Sequence, residues 1–146
     1  MIKELTGRKN WSILNAMNRE IKFRIWDEKY NAWDVSPIML YPAKTVIKQG
    51  RVIQQFTGLK DKNGREIYEG DIVKVKRGFV RPCIKDSKID YQITEGELEV
   101  GKVFWGMDAE FLVEYRGHDD SEKIRNIPHR YEVIGNIFEN PELCVK

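Results

Sequence analysis

The stretch that decides the fold is residues 55–75, which read Gln-Phe-Thr-Gly-Leu-Lys-Asp-Lys-Asn-Gly-Arg-Glu-Ile-Tyr-Glu-Gly-Asp-Ile-Val-Lys-Val. Two turn signals divide this stretch. Asn63-Gly64 can adopt positive φ at low cost and predicts a type I′ hairpin turn. Gly70 predicts a second turn, after which residues 72–76 form the clearest strand pattern of the chain. The stretch therefore specifies strands and their register, and it carries no catalytic motif.

The composition indicates a single domain with almost balanced charge. The 146 residues include 25 Lys and Arg against 23 Asp and Glu, which gives a formal net charge of +2. This balance argues against a protein that coats duplex nucleic acid by bulk electrostatics, although it is compatible with a local basic patch. No apolar run reaches the roughly 20 residues that span a bilayer, so we expect a soluble, intracellular protein with no membrane contact.

The two cysteines, Cys83 and Cys144, lie far apart in the sequence and outside any Cys-x-x-Cys pair. Their isolation argues against a structural zinc site and against a thioredoxin-type redox centre. We expect two reduced thiols, and a single disulfide between them is the alternative.

Short strand patterns separated by turn residues follow one another along the chain. They cover residues 20–26, 32–35, 43–48, 51–56, 72–76, 98–105, 111–115 and 131–136. In the first of them Ile21, Phe23 and Ile25 share one face, which predicts a half-buried strand. No pattern predicts a helix longer than two turns, so the sequence indicates an all-β protein, either a barrel or a sandwich.

Three segments carry weaker patterns. Residues 79–96 predict a long loop or a weak hairpin, and Gly101 predicts a β-bulge within its strand. Residues 117–126 predict a polar excursion between two strands. Asn140 and Pro141 predict the N-cap and the first residue of one short helical turn.

Three parts of the chain resemble the YopX family of phage and prophage proteins. Residues 19–27, Arg-Glu-Ile-Lys-Phe-Arg-Ile-Trp-Asp, resemble the opening of the family. Residues 55–64 and 67–73 are similar to its hallmark. Residues 133–143, Val-Ile-Gly-Asn-Ile-Phe-Glu-Asn-Pro-Glu-Leu, are similar to its closing signature. The resemblance therefore spans essentially residues 19–143.

The resemblance implies a small, partly open β-barrel of SH3-like type, with extra hairpins and at most short helices. It also implies a phage or prophage accessory protein in the cytoplasm of a bacterial host, with no catalytic motif and no established biochemical function. Residues 77–95 match no motif of the family. We divide the chain into an N-terminal extension, residues 1–18, which is a short element or a mobile arm, and a YopX-like barrel domain, residues 19–146.

The first candidate site is a basic patch with interspersed aromatic residues. Its cations are Lys74, Lys76, Arg77, Arg81, Lys85 and Lys88, and its rings are Phe79 and Tyr91. Such cations could follow a phosphate backbone while the rings stack on unpaired bases. The alternative, which the low net charge favours, is a solvated strand face followed by a flexible loop, with Asp86, Asp90 and Glu95 screening the cations.

The second candidate site is an aromatic contact surface. Trp33 and Trp105 lie beside predicted turns, which favours these two as exposed anchors for a partner, and burial in the core is the alternative for both. Trp26, Phe104 and Phe111 are typical of the core of a small barrel.

The third candidate site is the acidic segment around His118, which includes Asp119, Asp120 and Glu122, with His129 further on. These side-chain types bind metals, and the histidine could act as a general base. However, adjacent residues point in different directions, and no second ligand set has the spacing of a metal site. A hydrated acidic loop is the favoured interpretation, and the sequence predicts no metal, no cofactor and no catalytic residue.

We therefore expect a non-enzymatic binding module that contacts a phage or host protein, with self-association included among these contacts. Binding of single-stranded RNA or DNA through the basic patch, residues 74–88, is the alternative. A metal-dependent enzyme around His118 is the least favoured hypothesis.

Overall fold

The computed structural model describes residues 20–34, 50–93, 96–117 and 119–144. Within these ranges the chain forms β-strands and two short 3₁₀ turns, Pro128–Arg130 and Pro141–Cys144. The strands are β1 Phe23–Asp27, β2 Ala32–Asp34, β3 Arg51–Lys60, β4 Glu66–Tyr68, β5 Asp71–Lys76, β6 Val80–Lys85, β7 Lys88–Ile93, β8 Leu98–Trp105, β9 Phe111–Tyr115, β10 Ser121–Lys123 and β11 Tyr131–Asn136. The predicted all-β class is confirmed, as is the short helical turn that begins at Pro141.

The strands form two sheets and a separate two-stranded ribbon. The first sheet has the order β2-β1-β3-β4, and the second has the order β10-β9-β8-β5-β11. All the strand pairings are antiparallel. The fold contains a sheet that is curled into a half-barrel. That the barrel is of SH3-like type stays a prediction.

The hydrophobic core lies against the inner face of the five-stranded sheet. Val73 and Val75 of the central strand β5 point into this core, while Lys74 between them is exposed, as the alternation predicts. The core cluster consists of Ile67, Val73, Val75, Val103, Phe111, Val113, Tyr115, Ile124, Tyr131 and Val133. Of the predicted core aromatics, Trp26 and Phe111 are buried and Phe104 is half-buried.

The predicted type I′ turn at Asn63-Gly64 is wrong. Gly64 has a φ of 80°, but Asn63 does not have a positive φ, and the loop between β3 and β4 spans residues 61–65. The Asp61 side chain determines this loop, because its Oδ1 accepts the backbone N–H of Asn63 at 2.8 Å and that of Arg65 at 2.9 Å. A side-chain cap of this kind competes with tight-turn geometry.

The predicted bulge at Gly101 is also wrong. Gly101 pairs in continuous register with Val73 on one side and Tyr115 on the other. The glycine is needed for packing, since a Cβ at this position would lie 2.4 Å from Val113 Cγ1. Register shifts occur instead in β11, between Val133 and Gly135, and in β3, between Phe56 and Lys60.

Two further predictions change in detail. Only the end of β1 is buried, because Trp26 packs against other aromatic rings, whereas Ile21 and Phe23 are exposed. The polar excursion at residues 117–126 contains β10, which pairs with β9. The predicted extension at residues 1–18 and the strand at residues 43–48 lie outside the described residues.

Cys83 and Cys144 are free thiols, as predicted. Burial raises the pKa of the Cys144 thiol. In the described parts of the chain, no helix has the length and hydropathy that crossing a bilayer requires.

Candidate binding surfaces

β6 and β7 form a two-stranded ribbon, hereafter the ribbon, which pairs with no other described strand. Asp86 and Ser87 connect the two strands with φ values of 50° and 60°. Positive φ at both residues defines a two-residue type I′ turn, whose twist matches that of the flanking strands. Of the two structures predicted for residues 79–96, the hairpin is therefore the one that forms.

The two faces of the ribbon differ in chemistry. In an antiparallel pair, directly opposite residues share a face and successive residues alternate between faces. The register therefore places six residues on one face, hereafter the apolar face: Val80, Pro82, Ile84, Ile89, Tyr91 and Ile93. The opposite face, hereafter the polar face, carries Arg81, Cys83, Lys85, Lys88, Asp90 and Gln92.

The apolar face is most exposed at its tip. Ile84 and Ile89 lie directly opposite each other, and their side chains are 84% and 73% exposed. Val80 and Ile93 at the base are half-buried. Full burial of a large aliphatic side chain is worth about 1.5–3 kcal/mol, and a two-stranded ribbon alone is marginally stable in water. The tip therefore gains stability from any surface that covers it.

Each edge of the ribbon is blocked at its centre. Counted outward from the two-residue turn, Pro82 and Tyr91 form a non-hydrogen-bonded pair, so the N–H that proline lacks belongs to the outer edge of β6. On the outer edge of β7, the Tyr91 N–H donates to Asp90 Oδ1 at 2.8 Å. Proline and charged side chains on an edge oppose the addition of a further strand. A partner must therefore approach a face of the ribbon.

The structure divides the predicted basic patch. Lys74 is exposed on the outer face of β5. Arg77 is instead held by acidic residues, with nitrogen–oxygen distances of 3.2 Å to Glu99 and 3.1 Å to Asp120. Its guanidinium carbon also lies 4.6 Å from the centroid of the Tyr115 ring. Arg77 therefore links structural elements and does not present its charge to a ligand.

Another part of the patch lines a cleft of about 480 Å³ at the base of the ribbon. The lining residues are Lys76, Arg81, Tyr91, Gln92, Ile93 and His129. Lys76 and Arg81 form no ion pair with any side chain in the described ranges. The cleft thus combines two cations that have no ion-pair partner among the described residues with an imidazole and a phenol ring, which suits an anionic ligand that carries a flat ring. Sequence reasoning did not place His129 in this group.

The two candidate tryptophans have different surroundings. Trp33 is half-buried, its Nε1 donates to Glu139 Oε1 at 3.0 Å, and the Arg24 guanidinium lies 4.1 Å from its ring centroid. These contacts fix Trp33 within the structure, so it is not an exposed anchor. Trp105 is exposed and contacts Phe111 edge-on, with 4.5 Å between the ring centroids.

Two of the candidate metal ligands, Asp120 and Glu122, form ion pairs with arginines. Asp120 is in the ion pair described above, and Glu122 Oε1 lies 2.7 Å from Arg130. His129 is exposed, and His118 lies outside the described residues. Across the described ranges, no group of three His, Cys, Asp or Glu side chains is arranged to hold a metal ion.

A buried polar cluster joins the two sheets, and sequence reasoning missed it. It consists of Arg24, Gln54, Asp71 and Asn136, hereafter the inter-sheet cluster. Asp71 accepts from Arg24 and, at 3.0 Å, from Asn136 Nδ2. Gln54 Oε1 accepts from Arg24 Nε at 2.9 Å and from Asn136 Nδ2 at 3.1 Å. Two members come from each sheet, so the cluster fixes the sheets relative to each other.

Gly70 allows this cluster to form. Its φ is 78°, and a Cβ at this position would lie 2.1 Å from Gln54 Nε2. Gln54 cannot move away without losing its hydrogen bonds to Arg24 and Asn136. The sequence signal was weak: Asp71 and Asn136 lie at the ends of their strands, where polar residues are common, and only burial shows that they need internal partners.

Burial raises the pKa of three tyrosines. The pKa of Tyr68 is raised to about 12 by burial and by its hydrogen bond to Glu66, at 2.8 Å. Burial is also the main cause of the raised pKa values of Tyr115 and Tyr131. Tyr115 and Tyr131 belong to the packed interior, whereas Tyr68 is half-buried.

The fold and these surfaces define an all-β protein of two linked sheets with a projecting amphipathic ribbon. A family model described as YopX protein matches residues 15–144. The chain therefore belongs to the YopX family, which confirms the resemblance. Its structure is similar to the crystal structure of protein EF1440 from Enterococcus faecalis, with a TM-score of 0.52 and 25% sequence identity over 86% of this chain and 99% of that one. No curated protein matches the chain significantly.

Proposed function

We propose that this YopX family member is a non-enzymatic accessory protein of a phage or prophage, which acts through protein–protein contacts in the cytoplasm of a bacterial host. The apolar face of the ribbon makes the contact. The observation that carries the proposal is the exposed Ile84–Ile89 pair, on a face whose other four residues are also apolar. Contiguous exposed apolar surface on a folded protein marks an interaction site.

The ribbon is suited to this role for a structural reason. It lies outside both sheets, so its tip can be covered without any rearrangement of the core. Its blocked edges oppose strand addition, which favours a contact made by side chains. The cations of the polar face keep the ribbon hydrated on its other side.

The test compares two matched double variants. Ile84→Ser with Ile89→Ser removes the apolar tip, and Lys85→Ser with Lys88→Ser changes the neighbouring pair on the polar face. Proteins captured by the wild-type chain are identified, purified and titrated against all three forms. We expect the apolar-tip variant to bind at least about 10-fold more weakly, and the polar-face variant to bind within about 3-fold of wild type. Equal binding by all three forms, or the absence of binding to every purified protein tested, a second copy of this chain included, would overturn the proposal.

The cleft at the base of the ribbon supports a second candidate function, the binding of single-stranded RNA or DNA. Lys76 and Arg81 would contact phosphates while Tyr91 stacks on a base. A labelled oligonucleotide should bind at low salt, and its affinity should fall as salt rises, with a slope of about −0.7 per phosphate contacted. Lys76→Ala with Arg81→Ala should abolish binding, whereas Lys102→Ala, which removes a cation paired with Glu114, should not. This candidate fails if binding is absent at low salt or survives the double variant.

A further inference from the structure

We infer that the surface covering the apolar face of the ribbon is the same face of a second copy of this chain, in a two-fold contact of ribbon against ribbon. The inference rests on the proposed function, because it names the partner of that same surface. It commits to a face-to-face contact, in which each copy buries the tip isoleucines of the other.

The apolar face is complementary to itself in size and chemistry. A matching partner must be apolar over three cross-strand pairs, from Val80–Ile93 at the base to Ile84–Ile89 at the tip, and must bring no unpaired polar group. A second ribbon meets the first condition, and the Tyr91 hydroxyl is the one polar side-chain group on its face. Two-fold dimers use the same patch on both subunits, and sheet faces pack about 10 Å apart, so one sequence provides both halves of the contact.

The charges of the ribbon are placed so that two copies can meet. Arg81, Lys85 and Lys88 all lie on the polar face, together with the carboxylate of Asp90. In a face-to-face contact these groups point away from the partner on both sides. The Lys85 and Lys88 cations near the tip stay hydrated, and those of the two copies are separated by the full thickness of two strand layers.

The gradient of exposure along the ribbon fixes the relative direction of the two copies. The tip is exposed and the base, Val80 and Ile93, is half-buried. With the two-fold axis near the central Pro82–Tyr91 pair, each tip lies over the base of the other ribbon, and both tips are covered. This arrangement places Tyr91 of each copy close to Tyr91 of the other copy.

The size of the face sets the strength of the contact. Six side chains from each copy are far fewer than the roughly 20–30 residues per side of a standard stable interface. The dimer is therefore weak and depends on concentration. The blocked edges stop such dimers from extending into longer sheets.

The first arm of the experiment is sedimentation velocity on the full chain, from about 10 μM to about 1 mM, a range chosen for a weak complex. We expect the wild-type chain to shift from monomer to dimer across this range. Ile84→Lys with Ile89→Lys should stay monomeric throughout, and Lys85→Ser with Lys88→Ser should dimerise as wild type does. A wild-type chain that stays monomeric, or an Ile84→Lys, Ile89→Lys variant that dimerises equally well, would overturn the inference.

The second arm tests the two-fold geometry without altering the tip. In a chain with Cys83→Ser and Cys144→Ser, a single cysteine is introduced as Tyr91→Cys on the apolar face or as Gln92→Cys on the polar face. A short bis-maleimide should join two Tyr91→Cys chains and should leave Gln92→Cys chains monomeric. Equal cross-linking at the two positions overturns the ribbon-to-ribbon contact. If the wild-type chain is monomeric but still binds another purified protein through Ile84 and Ile89, this inference fails while the proposed function stands.

Discussion

The inter-sheet cluster and the ribbon are opposite uses of side chains in one small protein. The cluster places a fully buried carboxylate, Asp71, among hydrogen-bond partners from both sheets. The ribbon places two isoleucines, Ile84 and Ile89, in water on a hairpin that pairs with neither sheet. Polar groups are buried where they hold the two sheets together, and apolar groups are exposed where we propose that a partner binds.

The two regions also differ in their relation to the family motifs. Arg24, Asp71 and Asn136 lie in the three segments that resemble the family, and they hold the sheets together. The ribbon lies within residues 77–95, which match no family motif. The three motif residues therefore have a structural role, and the proposed contact surface lies in a segment that matches no family motif. Four measurements test whether the two regions differ in this way.

The largest effect is expected from Asp71→Ala. This change leaves Arg24 and Asn136 without their buried carboxylate partner, and breaking a buried ion pair costs about 3–5 kcal/mol. The free energy of unfolding, measured with urea, should fall by that amount. Asp108→Ala, at an exposed turn position, is the control and should have little effect. A loss below about 1 kcal/mol would mean that the cluster does not fix the sheets.

A matched pair of glycine variants separates steric fit from backbone strain. Gly64 and Gly70 have similar φ values of 80° and 78°, but only Gly70 has a neighbour that an added Cβ would meet, Gln54. We expect Gly64→Ala to cost about 1–2 kcal/mol, because a non-glycine residue is strained at this φ. Gly70→Ala should cost about 3 kcal/mol, since overpacking adds to the strain. Equal losses in urea unfolding would show that Gln54 yields and that the cluster is loosely held.

The free energy of unfolding should fall at alkaline pH, in part because of Tyr68. The folded pKa of Tyr68, about 12, lies above the ordinary value of about 10, so the unfolded chain loses this proton first. The contribution of the neutral Tyr68 phenol to the free energy of unfolding is fully present below pH 10 and is lost as the pH rises from 10 to 12. Tyr68 alone should account for on the order of 1 kcal/mol, allowing for solvent screening of a half-buried group.

Urea unfolding at several pH values measures this loss. Tyr68→Phe keeps the ring and should flatten the decline, whereas the exposed Tyr30→Phe should leave it unchanged. If both variants show the wild-type slope, the neutral Tyr68 phenol makes no contribution to stability.

The smallest effect on stability is expected in the ribbon. Ile84→Ser with Ile89→Ser should change the free energy of unfolding by less than about 0.5 kcal/mol, because exposed side chains contribute little to the monomer. The same change should remove the proposed contact. A loss of stability comparable with that of Asp71→Ala, measured at low protein concentration, would show that the isoleucines support the fold. The ribbon and the inter-sheet cluster would then not differ in their contribution to stability.

Several elements could be predicted because their causes are local. β5, β8, β9 and β11 have the predicted bounds to within one residue, since alternation of apolar and polar side chains is a property of neighbouring residues. The loop at residues 61–65 could not be predicted from its own sequence. Asp61 Oδ2 also accepts the N–H of Val133 at 3.0 Å, so a residue on a distant strand helps to fix its shape.

The candidate sites were predictable only in part, for the same reason. Lys76, Arg77 and Arg81 were recognised as cations. The acidic partners of Arg77 could not be predicted, because Glu99 and Asp120 lie far from it in the sequence. The sequence showed the alternation of Ile89, Tyr91 and Ile93, which form the β7 half of the apolar face. The residues of β6 that share this face follow only from the register set by the turn at Asp86-Ser87.

The sequence by itself therefore determined the all-β class, the family and most strands, because these follow from short-range alternation, turn residues and motifs. Tertiary structure alone decided which polar groups are buried together, which cations are neutralised and which apolar residues stay in water. Those properties depend on contacts between residues far apart in the chain, such as the 65 positions between Asp71 and Asn136. Residues 55–75 include Asp71, the first residue of β5 and a member of the inter-sheet cluster. The ribbon that follows in the chain carries the surface that we propose for binding.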